Sequence, residues 1–247
     1  MNIGQVTNRT AILYHIFYED HIDAICDELH HVVSETSPLL LFNVCDITPD
    51  KKNISEKLSS EFPGCIILFS SNKGKDIGGK LLLLSVYFHL KQPCDYLLLL
   101  HDKRSLQALK SSRWKRGLMK IIERQQSQII FNYFDSHKYC GLIAAKEYIV
   151  NGNIKDENST NTNSEKIIEI TERYKIAPPS HQFVAGTMFW VRARPFEDFF
   201  TKNDPLEIRK SLEDGNVLDN FSGTFTHSWE RLFSWIVTSG GYKIHGI

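Results

Sequence analysis

The strongest constraint on the fold of this chain is the alternation of short, continuous apolar segments with longer segments of helical periodicity. An apolar run without polar alternation is typical of a strand that is buried on both faces of a sheet. Strands separated by helices favour parallel pairing, because a parallel connection needs a long crossover. The sequence therefore predicts an α/β fold with a mostly parallel central sheet and helices on both faces. In the first half, the predicted strands are Ala11–Phe17, Leu39–Val44, Cys65–Phe69 and Tyr96–Leu100, and the predicted helices lie at 22–32, Ile54–Phe62, Gly78–Leu90 and Trp114–Gln126.

The second half is less regular but adds no separate core. The segment at about 150–166 is rich in Asn, Ser and Thr and has almost no apolar residue, which predicts a surface loop. Since no second complete apolar core follows this loop, we predict a single domain over residues 1–247. The remaining predicted elements are strands at Gly141–Ala145, Phe183–Val191 and Tyr242–Ile244 and a helix at Trp229–Thr238.

Composition excludes several classes of protein. The 29 basic and 29 acidic side chains balance, which argues against a nucleic-acid partner bound through a globally basic surface. No apolar run reaches the roughly 18 residues of a membrane helix, and the first residues lack the order of a secretory signal. The five cysteines are dispersed and form no CxxC pair, so we expect neither zinc nor a disulfide framework. A reducing, cytoplasmic location is the expectation that follows.

The first polar segment that bears chemistry is Ser71–Lys80, between a predicted strand and its helix. Ligands of parallel sheets bind beyond the carboxyl ends of the strands, where this segment lies. Its three glycines allow close approach of the backbone, and its three lysines and the helix start favour phosphate. Asp76 is placed either to bind sugar or ribose hydroxyls or to cap the helix. The segment matches neither GxxxxGK[ST] nor GxGxxG, and a solvated turn between strand and helix is the alternative.

The second polar segment is His101–Ser105, which ends the apolar strand Tyr96–Leu100 abruptly. Ionisable residues at a carboxyl strand end indicate a solvated cleft. Asp102 is a candidate ligand for a hard divalent cation, whereas His101, Lys103 and Arg104 can neutralise a diphosphate directly. An ordinary charged loop is the alternative interpretation.

Two further segments carry candidate residues. Gly186 interrupts a strand that is otherwise suited to the core, which indicates a backbone irregularity or close approach of a substrate. The neighbouring Trp190 fits either the core or a platform on which a sugar stacks. His227 and Glu230 share a helix face, and a carboxylate beside a histidine can act as general base for a hydroxyl. A surface ion pair is the alternative for that helix, and we interpret His15 as a core histidine.

Together these segments resemble the rhamnan synthesis protein F family of glycosyltransferases. Five family motifs occur in the family's order, over about residue 11 to the end of the chain. The family usually has Thr where this chain has Asp102. The matching segments are His15 with Phe17 and Tyr18, Asn72–Gly78, Leu100–Ser105 with Trp114 and Lys115, Ala185–Arg192, and His227–Arg231.

The resemblance implies a GT-A-like fold and transfer of a sugar from a nucleoside diphosphate sugar to a glycan hydroxyl, with inversion. Glu230, or alternatively His227, would be the catalytic base. Asp102 is the candidate ligand for Mn²⁺ or Mg²⁺, and cationic stabilisation by His101 and Lys103 is the alternative. The residues implied in donor binding are Tyr18, Asn72, Lys75, Asp76, Gly78, His101, Asp102, Lys103 and Ser105, and those implied in acceptor binding are Gly186, Thr187 and Trp190.

The family name suggests a rhamnose-like sugar on a dTDP-linked donor, and UDP-linked hexoses or pentoses stay open. The alternatives to a glycosyltransferase are a non-catalytic carbohydrate-binding or assembly protein, and a nucleotidyltransferase on a similar fold. We expect a nucleotide sugar and a glycan acceptor as partners. Because such acceptors are often lipid-linked, a peripheral membrane association is compatible with the absence of a predicted anchor.

Overall fold

A computed structural model of the protein describes residues 9–18, 22–102, 116–152, 163–218 and 222–247. Within these residues, seven strands form one sheet in the order β3-β2-β1-β4-β8-β5-β9, and β6 and β7 form a separate antiparallel pair. Among the described strands of the large sheet, β8 alone runs against the others. The strands are β1 (Thr10–Ile16), β2 (Leu39–Cys45), β3 (Ile66–Ser70), β4 (Tyr96–His101), β5 (Cys140–Ala144), β6 (Ile149–Asn151), β7 (Gln182–Val184), β8 (Phe189–Arg192) and β9 (Lys243–Gly246).

Helices cover both faces of the large sheet. Successive side chains of a strand point to opposite faces, and the central strands are apolar at both sets of positions. In β4, Leu97 and Leu99 join the core beneath α3 and α8, whereas Leu98 and Leu100 join the core beneath α1, α2 and α4. The helices are α1 (Ile22–Thr36), α2 (Lys51–Glu61), α3 (Lys75–Leu90), α4 (Gln126–Ser136), α5 (Ser164–Tyr174), α6 (Ala193–Phe200), α7 (Pro205–Lys210) and α8 (Phe225–Ser239).

The predicted α/β class, with a mostly parallel sheet covered on both faces, is confirmed. The second half of the chain differs from the prediction. The predicted strand Phe183–Val191 is two strands in two different sheets, because Gly186 and Thr187 adopt positive φ of 82° and 49° between them. The surface loop predicted at 150–166 overlaps the end of β6 and the start of α5, and residues 153–162 lie outside the described part. The boundaries 1–247 of a single domain stay a prediction.

The helix predicted at Trp114–Gln126 lies partly outside the described residues. Its described part ends in a short 3-10 helix at Lys120–Ile122, and a new helix, α4, begins at Gln126. Of the helices in the described part of the chain, none is both long and apolar enough to cross a membrane.

A row of polar side chains crosses the sheet near the carboxyl ends of its strands. His15 of β1 pairs in register with Asn43 of β2 on one side and with His101 of β4 on the other. Residues in register on parallel strands share a face, and this face is the one that α3 covers. All three side chains are buried. The apolar sheet therefore carries a polar floor at the edge where ligands bind in this architecture.

Close packing of α3 against this floor requires a glycine at Gly79. A Cβ atom there would lie 2.2 Å from Nδ1 of His15, well inside van der Waals contact. We expect Gly79→Ala to lower the free energy of unfolding by about 1–3 kcal/mol, because an overpacked core forces its side chains out of place. Chemical denaturation measures this change. In the double variant with His15→Ala the added methyl has space, so the double variant should lose less free energy of unfolding than the two single variants together. A loss equal to the sum of the two single losses would contradict the contact.

Candidate active site

A cavity of about 430 Å³ opens at the carboxyl ends of β1 and β4, beside the amino ends of α3 and α8. Its volume lies in the range of small-molecule sites. It brings together residues of all four segments that the sequence analysis singled out. The lining residues are His15, Phe17, Tyr18, Asn72, Lys75, Asp76, Ile77, His101, Asp102, Gly186, Asn216, Leu218, Thr226, His227 and Glu230.

Asp76 lies in the first turn of α3 and is held by a part-buried hydrogen-bond network. Its Oδ2 accepts hydrogen bonds from Lys80 Nζ at 3.2 Å and from Thr187 Oγ1 at 3.0 Å. Burial by itself would raise the pKa of Asp76, but its electrostatic interactions with His101, Lys80 and His15 and its hydrogen bond from Lys80 lower that pKa well below its usual range. Asp76 is therefore an ionised acceptor of hydrogen bonds at the edge of the cavity.

The two histidines of the floor have different surroundings. His15 Nδ1 lies 2.9 Å from Asn43 Nδ2, and burial lowers the pKa of His15 to about 4. Because the amide nitrogen is a donor, Nδ1 accepts and the ring carries its proton at Nε2. His101 Nδ1 lies 2.9 Å from the ammonium of Lys80. The interpretation of His15 as a core histidine is confirmed, since the side chain is buried and bonded to Asn43, and it also lines the cavity.

Asp102 holds the end of β1. Its Oδ1 accepts a hydrogen bond from the backbone N–H of Phe17 at 2.9 Å, and its Oδ2 accepts one from the backbone N–H of Tyr18 at 2.6 Å. Asp102 is buried, with 3 % of its surface exposed. Asp102 thereby fixes the turn that carries Tyr18 into the cavity.

The predicted role of Asp102 as a metal ligand stays a prediction. Both of its oxygens already accept backbone hydrogen bonds. Throughout the described ranges, no group of three His, Cys, Asp or Glu residues is placed to hold a metal ion. We therefore derive no step from a metal at this position.

Glu230 projects from α8 into the cavity, opposite the sheet floor. Its Oε1 accepts a hydrogen bond of 2.6 Å from the backbone N–H of Gly186. Within the described part of the chain, no hydrogen bond occupies its Oε2. This arrangement fixes the orientation of the carboxylate and leaves Oε2 available to a ligand in the cavity.

His227 lies one turn before Glu230 and has both ring nitrogens engaged. Nδ1 lies 2.6 Å from Oγ1 of Thr224, the residue that caps α8, and Nε2 lies 3.4 Å from Nζ of Lys75. Glu213 completes this helix start by accepting hydrogen bonds from the backbone N–H groups of Phe225 and Thr226. The histidine thus links the start of α8 to the start of α3.

Three predicted site residues have structural roles instead. Trp190 is fully buried in the core on the other face of the sheet, where its Nε1 donates to the carbonyl of Ile121, so its assignment to the acceptor is wrong. Thr187 is fully buried and lies behind Asp76 rather than on the cavity surface. A Cβ atom at Gly78 would lie 1.8 Å from the carbonyl oxygen of Lys73, so Gly78 permits a tight helix start.

The predicted donor residues Lys103 and Ser105 lie outside the described residues. The cavity also has lining residues that the sequence analysis did not single out, on the segment before α8. Asn216 Oδ1 accepts a hydrogen bond from Asn72 Nδ2 at 3.1 Å, and Leu218 is 69 % exposed at the rim. No periodicity or motif marks these two residues, because a loop with few apolar residues carries no such signal.

Solved structures with similarity to this chain are fungal and mammalian glycosyltransferases. The mannosyltransferase Ktr4p from S. cerevisiae has 8 % identity and a TM-score of 0.40, over 92 % of this chain and 62 % of that chain. Core-mannan synthase A from Aspergillus fumigatus in its Mn/GDP form has 7 % identity and a TM-score of 0.40, over 100 % and 74 %. Mouse xyloside xylosyltransferase 1 has 11 % identity and a TM-score of 0.34, over 96 % and 85 %.

This chain therefore spans less than two thirds of the yeast enzyme. No curated protein sequence matches it. A family model, rhamnan synthesis protein F, matches residues 2–242, which is nearly the whole sequence. The chain belongs to the rhamnan synthesis protein F family.

Proposed function

We propose that the protein is a glycosyltransferase that moves a sugar from a nucleoside diphosphate sugar to a hydroxyl of a glycan acceptor. The family match supports a role in glycosyl transfer. The observation that carries the proposal is the convergence of an ionised Asp76, the cationic Lys75 and the carboxylate of Glu230 on one cavity of ligand size. A nucleoside diphosphate sugar presents hydroxyls and a diphosphate to such a cavity. Transfer of its sugar also needs a base that takes the proton of the acceptor hydroxyl.

The donor would lie across the carboxyl ends of β1 and β4. Asp76 accepts hydrogen bonds from hydroxyls of the sugar or ribose, and the ammonium of Lys75 and the ring of His101 meet the diphosphate. Tyr18 borders the nucleotide. Stabilisation of the negative charge that develops on the leaving diphosphate is the main electrostatic task of the site.

The acceptor would approach from the side of Gly186. Its hydroxyl oxygen attacks the anomeric carbon, the bond from that carbon to the diphosphate oxygen breaks, and the nucleoside diphosphate leaves. Glu230 takes the proton of the hydroxyl, which gives single displacement with inversion. We favour Glu230 over His227, because both ring nitrogens of the histidine have partners in Thr224 and Lys75.

The sugar, its nucleotide and the cellular location stay open within this proposal. A dTDP-linked rhamnose-like donor follows from the family's name, and UDP-linked hexoses and pentoses have the same diphosphate chemistry. The sequence also predicts a lipid-linked or polymeric glycan as acceptor and a cytoplasmic location. The arrangement of the cavity tests neither of these predictions.

A ligand panel tests the proposal directly. Thermal shifts are measured with dTDP-rhamnose, UDP-glucose, UDP-xylose, dTDP, UDP, UTP and free oligosaccharides, each with Mn²⁺ and with EDTA. A transferase is stabilised by its donor or by its diphosphate product, because a ligand of the native state raises the transition temperature. Stabilisation by oligosaccharides alone would identify a carbohydrate-binding protein, and preference for the triphosphate would identify a nucleotidyltransferase.

Glu230→Gln tests the base. The amide keeps the size of the side chain but cannot take a proton, so we expect turnover to fall by about 10²–10⁴-fold with donor affinity unchanged. Turnover is measured by release of the nucleoside diphosphate, and affinity by calorimetry. His227→Gln serves as the matched control on the same helix and should retain more activity. Normal turnover of Glu230→Gln would remove this residue from the role.

Asp102→Asn tests whether this carboxylate orders the turn at Tyr18 or holds a metal. The amide keeps one acceptor oxygen but sets an NH2 donor against the other backbone N–H, and a hydrogen bond to a charged group contributes about 1.5–3 kcal/mol. We expect donor affinity to fall by about tenfold or more, and to the same extent in Mn²⁺ and in EDTA. A loss confined to Mn²⁺-containing buffer, measured by calorimetry, would instead assign Asp102 to a metal.

A further inference from the structure

Lys80 is a lysine without any exposed surface. Lysine is almost never fully buried unless its charge has partners. The cost of removing an ammonium from water is several kcal/mol, so a native structure retains such a group only with good hydrogen bonds. Lys80 lies one turn into α3, directly behind the residues that line the cavity.

The contacts of Lys80 join three elements of the site. Its Nζ donates to Asp76 Oδ2 at 3.2 Å on α3, to His101 Nδ1 at 2.9 Å on β4, and to Thr187 Oγ1 before β8. The Thr187 hydroxyl in turn donates to Asp76 Oδ2 at 3.0 Å. An ammonium can only donate hydrogen bonds, and each of these three atoms accepts one from it.

These contacts determine which polar atoms face the cavity. Because Oδ2 of Asp76 is the atom that Lys80 and Thr187 bind, Oδ1 remains, and it makes no hydrogen bond within the described residues. An ammonium can only donate, so His101 Nδ1 accepts and the ring proton is at Nε2. The cavity therefore has a fixed acceptor at Asp76 and a fixed donor at His101.

We propose that Lys80 is a positioning residue of the donor site: its buried ammonium keeps Asp76 an ionised acceptor for a donor hydroxyl and keeps His101 an N–H donor. This inference rests on the proposed function. Lys80 itself touches no ligand in this scheme. It acts through two residues that do, and the hydroxyl belongs to either the ribose or the transferred sugar.

The charged and titratable groups that face Asp76 are Lys80 on its own helix, His101 on β4 and His15 on β1. Thr187 is the neutral partner from the turn before β8. With Lys80 in place, Asp76 stays ionised over the neutral and mildly acidic range. Without it, burial raises the pKa of Asp76, and protonation would replace the acceptor with a donor as the pH falls.

Lys80→Met is the test, with Lys57→Met as the matched control, since Lys57 pairs with Asp23 and Glu61 on the surface. Dissociation constants are measured by calorimetry between about pH 5 and 8, for UDP and dTDP and for UDP-glucose and dTDP-rhamnose. We expect wild type and Lys57→Met to bind with little pH dependence. In Lys80→Met, affinity should fall by about tenfold or more on the acidic side, because the ammonium no longer opposes the effect of burial, which raises a carboxyl pKa by up to about 3–5 units.

Comparison of the ligands identifies the hydroxyl. A loss for both the diphosphates and the nucleotide sugars assigns Asp76 to the ribose, and a loss for the nucleotide sugars alone assigns it to the transferred sugar. If Lys80→Met does not fold, the double variant Lys80→Met with Asp76→Asn removes the unpaired buried charge. It should fold and bind weakly with a flat pH profile.

A pH profile of Lys80→Met parallel to that of wild type would overturn the inference and leave Lys80 a structural residue. An acidic loss that persists in the double variant would also overturn it, because no carboxyl remains at position 76. Absence of any nucleotide-sugar binding by wild type is a different outcome, which contradicts the proposed function itself.

Discussion

The ion pair between the buried Lys80 and the part-buried Asp76 is the interaction on which the rest of the site depends. An isolated ammonium at the depth of Lys80 would be strongly unfavourable, so Lys80 requires this carboxylate. The pair also explains why the floor of the sheet is polar here, since His101 and Thr187 supply the remaining acceptors of the ammonium. The apolar strands on either side exclude water from this network, which strengthens its electrostatic interactions.

Glycines allow this polar network to form beneath a helix. Gly79 brings α3 close enough to β1 for the His15 ring to lie under the helix backbone. Gly74, at φ 72°, precedes the first residue of α3 and sets the direction in which the helix leaves β3. The glycine-rich turn thus contributes to the site through packing and helix geometry, in addition to the close approach to phosphate that its sequence suggests.

The sequence predicts the strands of the first half well, and also the polar segments at their carboxyl ends, because strands buried on both faces have continuous apolar runs that end sharply. The neighbours of a polar residue are much harder to predict. His15 is an isolated polar residue in β1, and its partners Asn43 and His101 come from strands that only the pairing register brings beside it. The sequence marks Asp102 as a candidate metal ligand, but it does not reveal that the end of β1 donates two backbone N–H groups to this carboxylate.

The surroundings of an aromatic residue and the positions of short helices are equally hard to predict from sequence. Trp190 fits a core or a sugar platform equally well in sequence, and the face of β8 that it occupies decides for the core. Helices α5, α6 and α7 were not predicted, since their segments are short or follow polar stretches, and tertiary packing stabilises them more than their own periodicity does.

The turn before β8 has one more consequence. The backbone N–H of Gly186 binds Glu230, and the side chain of the next residue, Thr187, binds Asp76. Two consecutive residues therefore set the spacing between the carboxylate that would bind the donor and the carboxylate that would activate the acceptor. A change in this turn would alter the distance between the two carboxylates, whereas Leu218 on the exposed rim is not part of either contact.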